Sequence, residues 1–153
     1  GALRGDAAVR VVVLGGRGPS FCAGADIAAM KASATAGFDD NLAEAERLGG
    51  MFAALGDCPK PVVARVHGNV FGGGVGLTAA CDLAVASDDA VFALSEVRLG
   101  IVPALISPYV IRRLGDRNAR EAMLTGERFG ATRALAMGLV NKVVPAADLR
   151  TEV

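Results

Sequence analysis

The chain has 153 residues, 52% of them apolar, and its 16 basic side chains balance 16 acidic ones, so the formal charge is zero. That size and composition suffice for one ordinary hydrophobic core. The charge balance leaves no basic stripe for a nucleic acid, and apolar runs far short of the roughly 20 residues of a membrane span leave no membrane anchor to expect.

In chain order, residues 9–14 are a β-branched run ending at Gly15 and Gly16, the pattern of a buried strand entering a loop. A small-residue loop occupies residues 21–27. Over residues 41–55 the apolar positions Leu42, Ala45, Leu48, Met51, Phe52 and Leu55 recur at three- and four-residue steps, which predicts an amphipathic helix stopped by Pro59 and Pro61. Residues 62–66 read as a second strand, 67–72 as a loop, 73–81 as a short helix and 83–86 as a third strand. A fourth strand at 91–94 leads into a turn at 95–100. Residues 103–114 are predicted helical, with Gly115 as the C-cap; Asp116 caps a further helix and Thr132 one that stops at Gly138. Residues 140–144 close as a strand. Strands alternating with helices predict an α/β layered fold.

The start lacks both a Met and an apolar leader stretch, and the stop follows closely on a strand, so the chain is expected to be a fragment. Cys22, Cys58 and Cys81 are odd in number and have no CxxC spacing, and His67 is the only histidine. No metal site is expected, and three reduced thiols point to a cytoplasmic setting.

Gly72, Gly73, Gly74 and Gly76 crowd the point where the loop at 67–72 enters the short helix. A helix N-terminus offers unpaired N–H groups and the positive end of a dipole, and glycine there lets a ligand approach bare backbone. The ligand would be a phosphate or a developing oxyanion. Gly74, Gly76 and Ala79 formally match a dinucleotide fingerprint, but only Ala80 and Cys81 remain before the next strand, too few for the crossover helix that fingerprint opens. An oxyanion site needs a second donor and a nearby acid or base. Residues 21–27 supply a second small-residue loop after a strand, and Glu96 stands at a strand end with apolar Leu94 and Val97 on its two sides. Asp26 and Asp82 read as cap or turn residues, Cys22 and Cys81 as packing, and His67 as structural.

In order and spacing, Phe21 with Ala23, Gly24, Ala25, Asp26 and Ile27, then Gly72, Gly73 and Gly74, then Ala80, Cys81 and Asp82, resemble the enoyl-CoA hydratase/isomerase, or crotonase, family. Glu96 with Leu99, Gly100 and Pro103, Leu124 with Thr125 and Gly126, and Ala134 with Gly138, Leu139 and Val140 continue the resemblance to about residue 145. It implies a spiral of ββα units and one crotonase-like domain over residues 1–153, without the family's first β-hairpin and C-terminal helical region. It also implies an acyl-CoA thioester as substrate, no cofactor beyond the CoA the substrate carries, and assembly as a homo-trimer or hexamer. By motif match Ala25 and Gly73 would hold the thioester oxygen through backbone N–H groups and Glu96 would be the acid/base. Ala23, Gly24, Asp26, Ile27, Gly72, Gly74 and Gly76 would border the substrate.

The chain departs from the pattern at Gly76, where the best-known hydratases of the family carry a second glutamate. The proton work then falls on Glu96, a water, or another residue. The stretch at 103–109, with those at 71–77 and 95–100, is similar to the bacterial methylglutaconyl-CoA hydratase group. That similarity implies an acyl group with a distal carboxylate and a cation to meet it, Arg98 or Arg112. The expected activity is hydration of an α,β-unsaturated acyl-CoA. The alternatives are a double-bond isomerase, which needs one acid/base, and a non-catalytic subunit that binds acyl-CoA.

Overall fold

Three times the chain runs strand, strand, helix. In the computed structural model, which describes residues 2–153, a short helix α1 (Ala2–Gly5) precedes the first such unit. That unit is β1 (Val12–Gly15), a bridging residue Cys22, and the helices α2 (Ile27–Ser33) and α3 (Phe38–Gly56). The second is β2 (Val62–Val66), β3 (Asn69–Phe71) and α4 (Gly73–Ala80). The third is β4 (Leu83–Ser87), β5 (Val91–Ala93), a 3-10 turn (Ser95–Leu99) and α5 (Ser107–Thr125). The short strand β6 (Phe129–Gly130), α6 (Ala131–Ala136), β7 (Lys142–Val144), a 3-10 turn (Ala146–Asp148) and α7 (Leu149–Glu152) complete the chain.

The first strand of each unit joins an all-parallel sheet in the order β1-β2-β4-β7, and the second joins a smaller sheet in the order β3-β5-β6. Cys22 extends the smaller sheet by a parallel bridge to Val70. Val62, Ala64 and Val66 of β2 and Ala84 and Ala86 of β4 are buried and alternate with the partly exposed Val63, Arg65 and Val85. Each buried valine of this kind contributes about 1.5 to 3 kcal/mol. Phe52 of α3 and Tyr109 of α5 close the helical layer with ring centroids 5.9 Å apart.

Most predicted elements form, with informative exceptions. β1 is not buried on both sides as expected: among the described residues it pairs with β2, and Val11 and Val13 are 49% and 48% exposed in this chain. The expected loop at 67–72 contains β3, too short to show a period. α2 was not predicted, although Asp26 caps it as expected, its Oδ1 accepting from Ala28 N at 2.7 Å and Ala29 N at 3.2 Å. α5 starts at Ser107 rather than 103 and is interrupted at Gly115 (φ 74°, ψ 160°), where the sequence predicts a helix end. Thr132 is not a cap: Gly130 precedes α6 and no side chain caps it. Among the described residues no helix is long and apolar enough to cross a membrane.

Candidate active site

α4 has the composition of a poor helix, three of its eight residues being glycine. It forms because it is enclosed: Gly74, Val75, Gly76, Thr78, Ala79 and Ala80 are buried against α3, α5 and the sheets, so packing overrides propensity. Its two ends differ. At the C-terminal end Arg113 of α5 donates Nε to Ala79 O at 3.4 Å and Nη1 to Asp82 O at 3.2 Å, and Nη2 binds Cys81 O. The carboxylate of Asp82 is also engaged, accepting Val62 N at 2.8 Å.

At the N-terminal end nothing of the kind occurs. Gly72 N donates to Ala93 O at 2.9 Å and Gly72 O accepts from Val75 N and Gly76 N, but Gly73 N–H has no acceptor among the described residues. No acidic side chain occupies the first turn and no side chain caps it. A Cβ on Gly73 would meet nothing within 4 Å, so open space lies before this end of the helix. Unpaired N–H groups there carry the positive end of the helix dipole.

A second loop is fastened beside it. Phe21 N donates to His67 O at 2.8 Å, Cys22 N to Asn69 O at 3.3 Å and Phe71 N to Cys22 O at 2.9 Å, so residues 21–22 run as a strand along β3. Cys22 O also lies so close to α4 that a Cβ on Gly74 would stand 2.4 Å from it. The loop that emerges carries Ala23, Gly24 and Ala25 and ends at the α2 cap, Asp26. Ala25 is exposed, and its N–H has no acceptor among the described residues. The side chain of Ile27 lies outside the description. His67 holds the base of this loop through Nε2 and Gly18 O, 3.0 Å apart, in keeping with a structural role.

Glu96 reaches the same point from the turn after β5. A Cβ on Gly72 would stand 3.0 Å from Glu96 Oε1, and Gly72 has φ 49° and ψ −113°, a backbone that only glycine adopts readily. Glycine at 72 therefore makes room for the carboxylate over the start of α4. Glu96 Oε2 is buried and has no hydrogen-bond partner among the described residues. Burial raises its pKa above the usual carboxylate value, partly offset by its own main-chain amide. A desolvated carboxylate with a free oxygen, beside unpaired N–H donors, is equipped to move a proton while an oxyanion is held.

Against Phe71, Ala93 and Ser95 lies a cavity of about 240 Å³, also lined by Arg98, Gly126 and Arg128. Arg98 Nε donates to Gly126 O at 3.1 Å, and the Arg128 guanidinium lies 5.2 Å from the centre of the Phe71 ring. Neither arginine is in an ion pair among the described residues. Of the two cations expected from the sequence, Arg98 lines this cavity, whereas Arg112 lies over Tyr109, 5.8 Å from its ring centre. Arg128 was missed, because its place beside Phe71 is created by β5–β6 pairing across a gap in sequence. Among the described residues no His, Cys, Asp or Glu cluster could hold a metal ion.

Residues 1–153 match the enoyl-CoA hydratase/isomerase family. A carnitinyl-CoA dehydratase of Proteus mirabilis is 40% identical over 153 residues, covering 95% of this chain and 55% of its own length. A peroxisomal Delta(3,5)-Delta(2,4)-dienoyl-CoA isomerase of Arabidopsis thaliana is 36% identical over 148 residues, 88% of this chain and 52% of the relative. The crystal structure of an enoyl-CoA hydratase from Shewanella pealeana superposes with a TM-score of 0.94 at 40% identity, over 99% of this chain and 56% of that one. The chain thus spans about half the length of the relatives it matches.

Proposed function

The chain belongs to the enoyl-CoA hydratase/isomerase family, and from that premise we propose that the protein adds water to an α,β-unsaturated acyl-CoA by stabilising a thioester enolate. The observation that carries this reading is the buried Glu96 Oε2 over Gly72 beside the N–H of Gly73, neither with a partner among the described residues. In the proposed cycle the thioester oxygen accepts from Gly73 N–H and Ala25 N–H. The Glu96 carboxylate removes a proton from water as the water oxygen bonds to the β-carbon, and electrons move onto the thioester oxygen. The enolate then collapses, its α-carbon takes the proton from Glu96, and the carboxylate is regenerated. Each donor of this kind is worth about 3 to 4 kcal/mol in a transition state.

Two backbone donors and one carboxylate also suffice for a double-bond isomerase, in which Glu96 takes a proton from the α-carbon of a 3-enoyl-CoA and returns it to the γ-carbon. The relatives named above include a dehydratase and an isomerase. Arg98 and Arg128 beside Ser95 favour an acyl group with a distal carboxylate, of which 3-methylglutaconyl-CoA is an instance. The proposal extends to a homo-trimeric or hexameric, cytoplasmic protein that needs no cofactor beyond the CoA of its substrate.

The test is turnover by the complete gene product of crotonyl-CoA, 3-methylglutaconyl-CoA and a 3-enoyl-CoA, with products identified by mass. A gain of one water on either 2-enoyl substrate, lost in Glu96→Gln, is the expected result. Reaction of the 3-enoyl substrate alone, without mass change, establishes the isomerase instead. CoA binding without turnover of any of the three supports a non-catalytic subunit.

A further inference from the structure

One turn beyond Gly73, α4 carries a residue with no room for any side chain. A Cβ on Gly76 would stand 2.3 Å from Ile106 Cγ2, 2.7 Å from Ile106 Cβ and 3.1 Å from Phe52 Cε1. Both neighbours are 4% exposed. Ile106 comes from the turn that opens α5, where its carbonyl accepts from Tyr109 N at 3.1 Å and Val110 N at 3.0 Å, and Phe52 comes from α3 and is held by Tyr109. The side chain that would otherwise belong to α4 is thus supplied by two other helical segments, and it is wholly apolar.

Residues three and four apart on a helix share a face, with side-chain positions on the order of 5 to 6 Å apart. Gly76 is such a neighbour of Gly73, the first residue of α4. The stripe of α4 that begins with the open N–H of Gly73 and the carboxylate of Glu96 therefore continues directly into Ile106 and Phe52. If the proposed function holds, a thioester oxygen on Gly73 N–H places the carbons bonded to the carbonyl within reach of that next turn.

We propose that Ile106, seated against Gly76 and backed by Phe52, is a specificity-determining residue of the acyl site. It forms an apolar wall beside the reacting carbons and makes Glu96 the only carboxylate that can reach them from this side. The wall selects acyl groups by bulk at the α- and β-carbons. Because it stands where a side chain at 76 would, positions 76 and 106 are coupled: enlarging one requires shrinking the other.

The experiment uses the complete gene product as Gly76→Ala, Ile106→Ala and the pair, compared by thermal melting and by kcat/KM on two enoyl-CoA substrates that differ in branching at the β-carbon. Gly76→Ala alone is expected to melt far lower or fail to fold, and the added Ile106→Ala to recover folded protein, the non-additivity of residues in direct contact. Ile106→Ala alone, which removes three carbons, is expected to fold and to shift the ratio of kcat/KM toward the bulkier substrate by about ten-fold or more, the lower end of what a single methylene is worth in a pocket. Two results overturn the proposal: an unchanged ratio in Ile106→Ala, or Gly76→Ala that is equally harmful with and without Ile106. If the parent protein turns over no enoyl-CoA, the reading as an enzyme fails and takes this specificity role with it, whereas the coupling of the two positions is still decided by the melts.

Discussion

The two ends of α4 receive opposite treatment, although the helix has only eight residues. Its C-terminal carbonyls are gathered by Arg113, and the adjoining Asp82 is tied to β2. Among the described residues its N-terminus is left with Gly73 N–H unpaired, no cap, and a buried carboxylate with a free oxygen alongside. A buried polar group without a partner costs about 1 to 3 kcal/mol. The fold therefore satisfies the end that only holds the structure together and leaves unsatisfied the end that faces open space, which is the arrangement expected where a ligand supplies the missing partner.

The contrast can be broken most forcefully at the open end. Glu96→Gln keeps the shape of the carboxyl group but removes its proton chemistry, and is expected to lower kcat by about 100- to 10,000-fold with substrate binding retained. Gly73→Pro deletes the N–H at a helix position that accepts proline, and is expected to lower kcat by about 100- to 1,000-fold. Gly73→Ala, with nothing within 4 Å of its Cβ, is its control and should retain activity. Equal loss in both variants would show that the backbone path, not the donor, was disturbed.

At the closed end the effect should fall on stability. Arg113→Met orphans carbonyls now bound by a cation and is expected to destabilise the protein by about 1.5 to 3 kcal/mol in urea unfolding while KM is little changed. The smallest expected effect separates the ends by pH. Burial raises the pKa of Glu96 in the folded protein, so the folded state binds protons more readily there than the unfolded chain. That group favours folding below its unfolded pKa, and the advantage is lost as pH rises through the folded value. Glu96→Gln should therefore raise Tm at pH 7 to 8, with the gain vanishing near pH 4, about the ordinary glutamate value. The same raised pKa predicts an acid limb in kcat/KM displaced above the usual carboxylate range. Cys81 offers an internal check on the closed end: burial pushes its thiol up to about 11, so it should resist alkylation in the native state while half-buried Cys22 and Cys58 react first.

Much of this was legible in the residues because local rules carry it. The period of Leu42, Leu48, Phe52 and Leu55 predicts α3, Gly115 interrupts α5 where expected, and Asp26 caps as its type and place suggest. The cluster of glycines before a short apolar helix points to an exposed helix N-terminus, and order and spacing tie Ala25, Gly73 and Glu96 to one family. These features depend on residues a few positions apart or on motifs read in sequence.

What the sequence by itself determined was the alternation of strands and helices, the family, and the residue types able to hold an oxyanion and move a proton. Only the tertiary structure decided that β3 exists, that Arg128 joins Arg98 at one cavity, and that Ile106 and Phe52 occupy the space beside Gly76. The physical reason is contact between distant segments. Three residues of β3 have too short a period to announce themselves, and the volume at a glycine is set by side chains 24 and 30 positions away (76 − 52 and 106 − 76) that only packing brings to it.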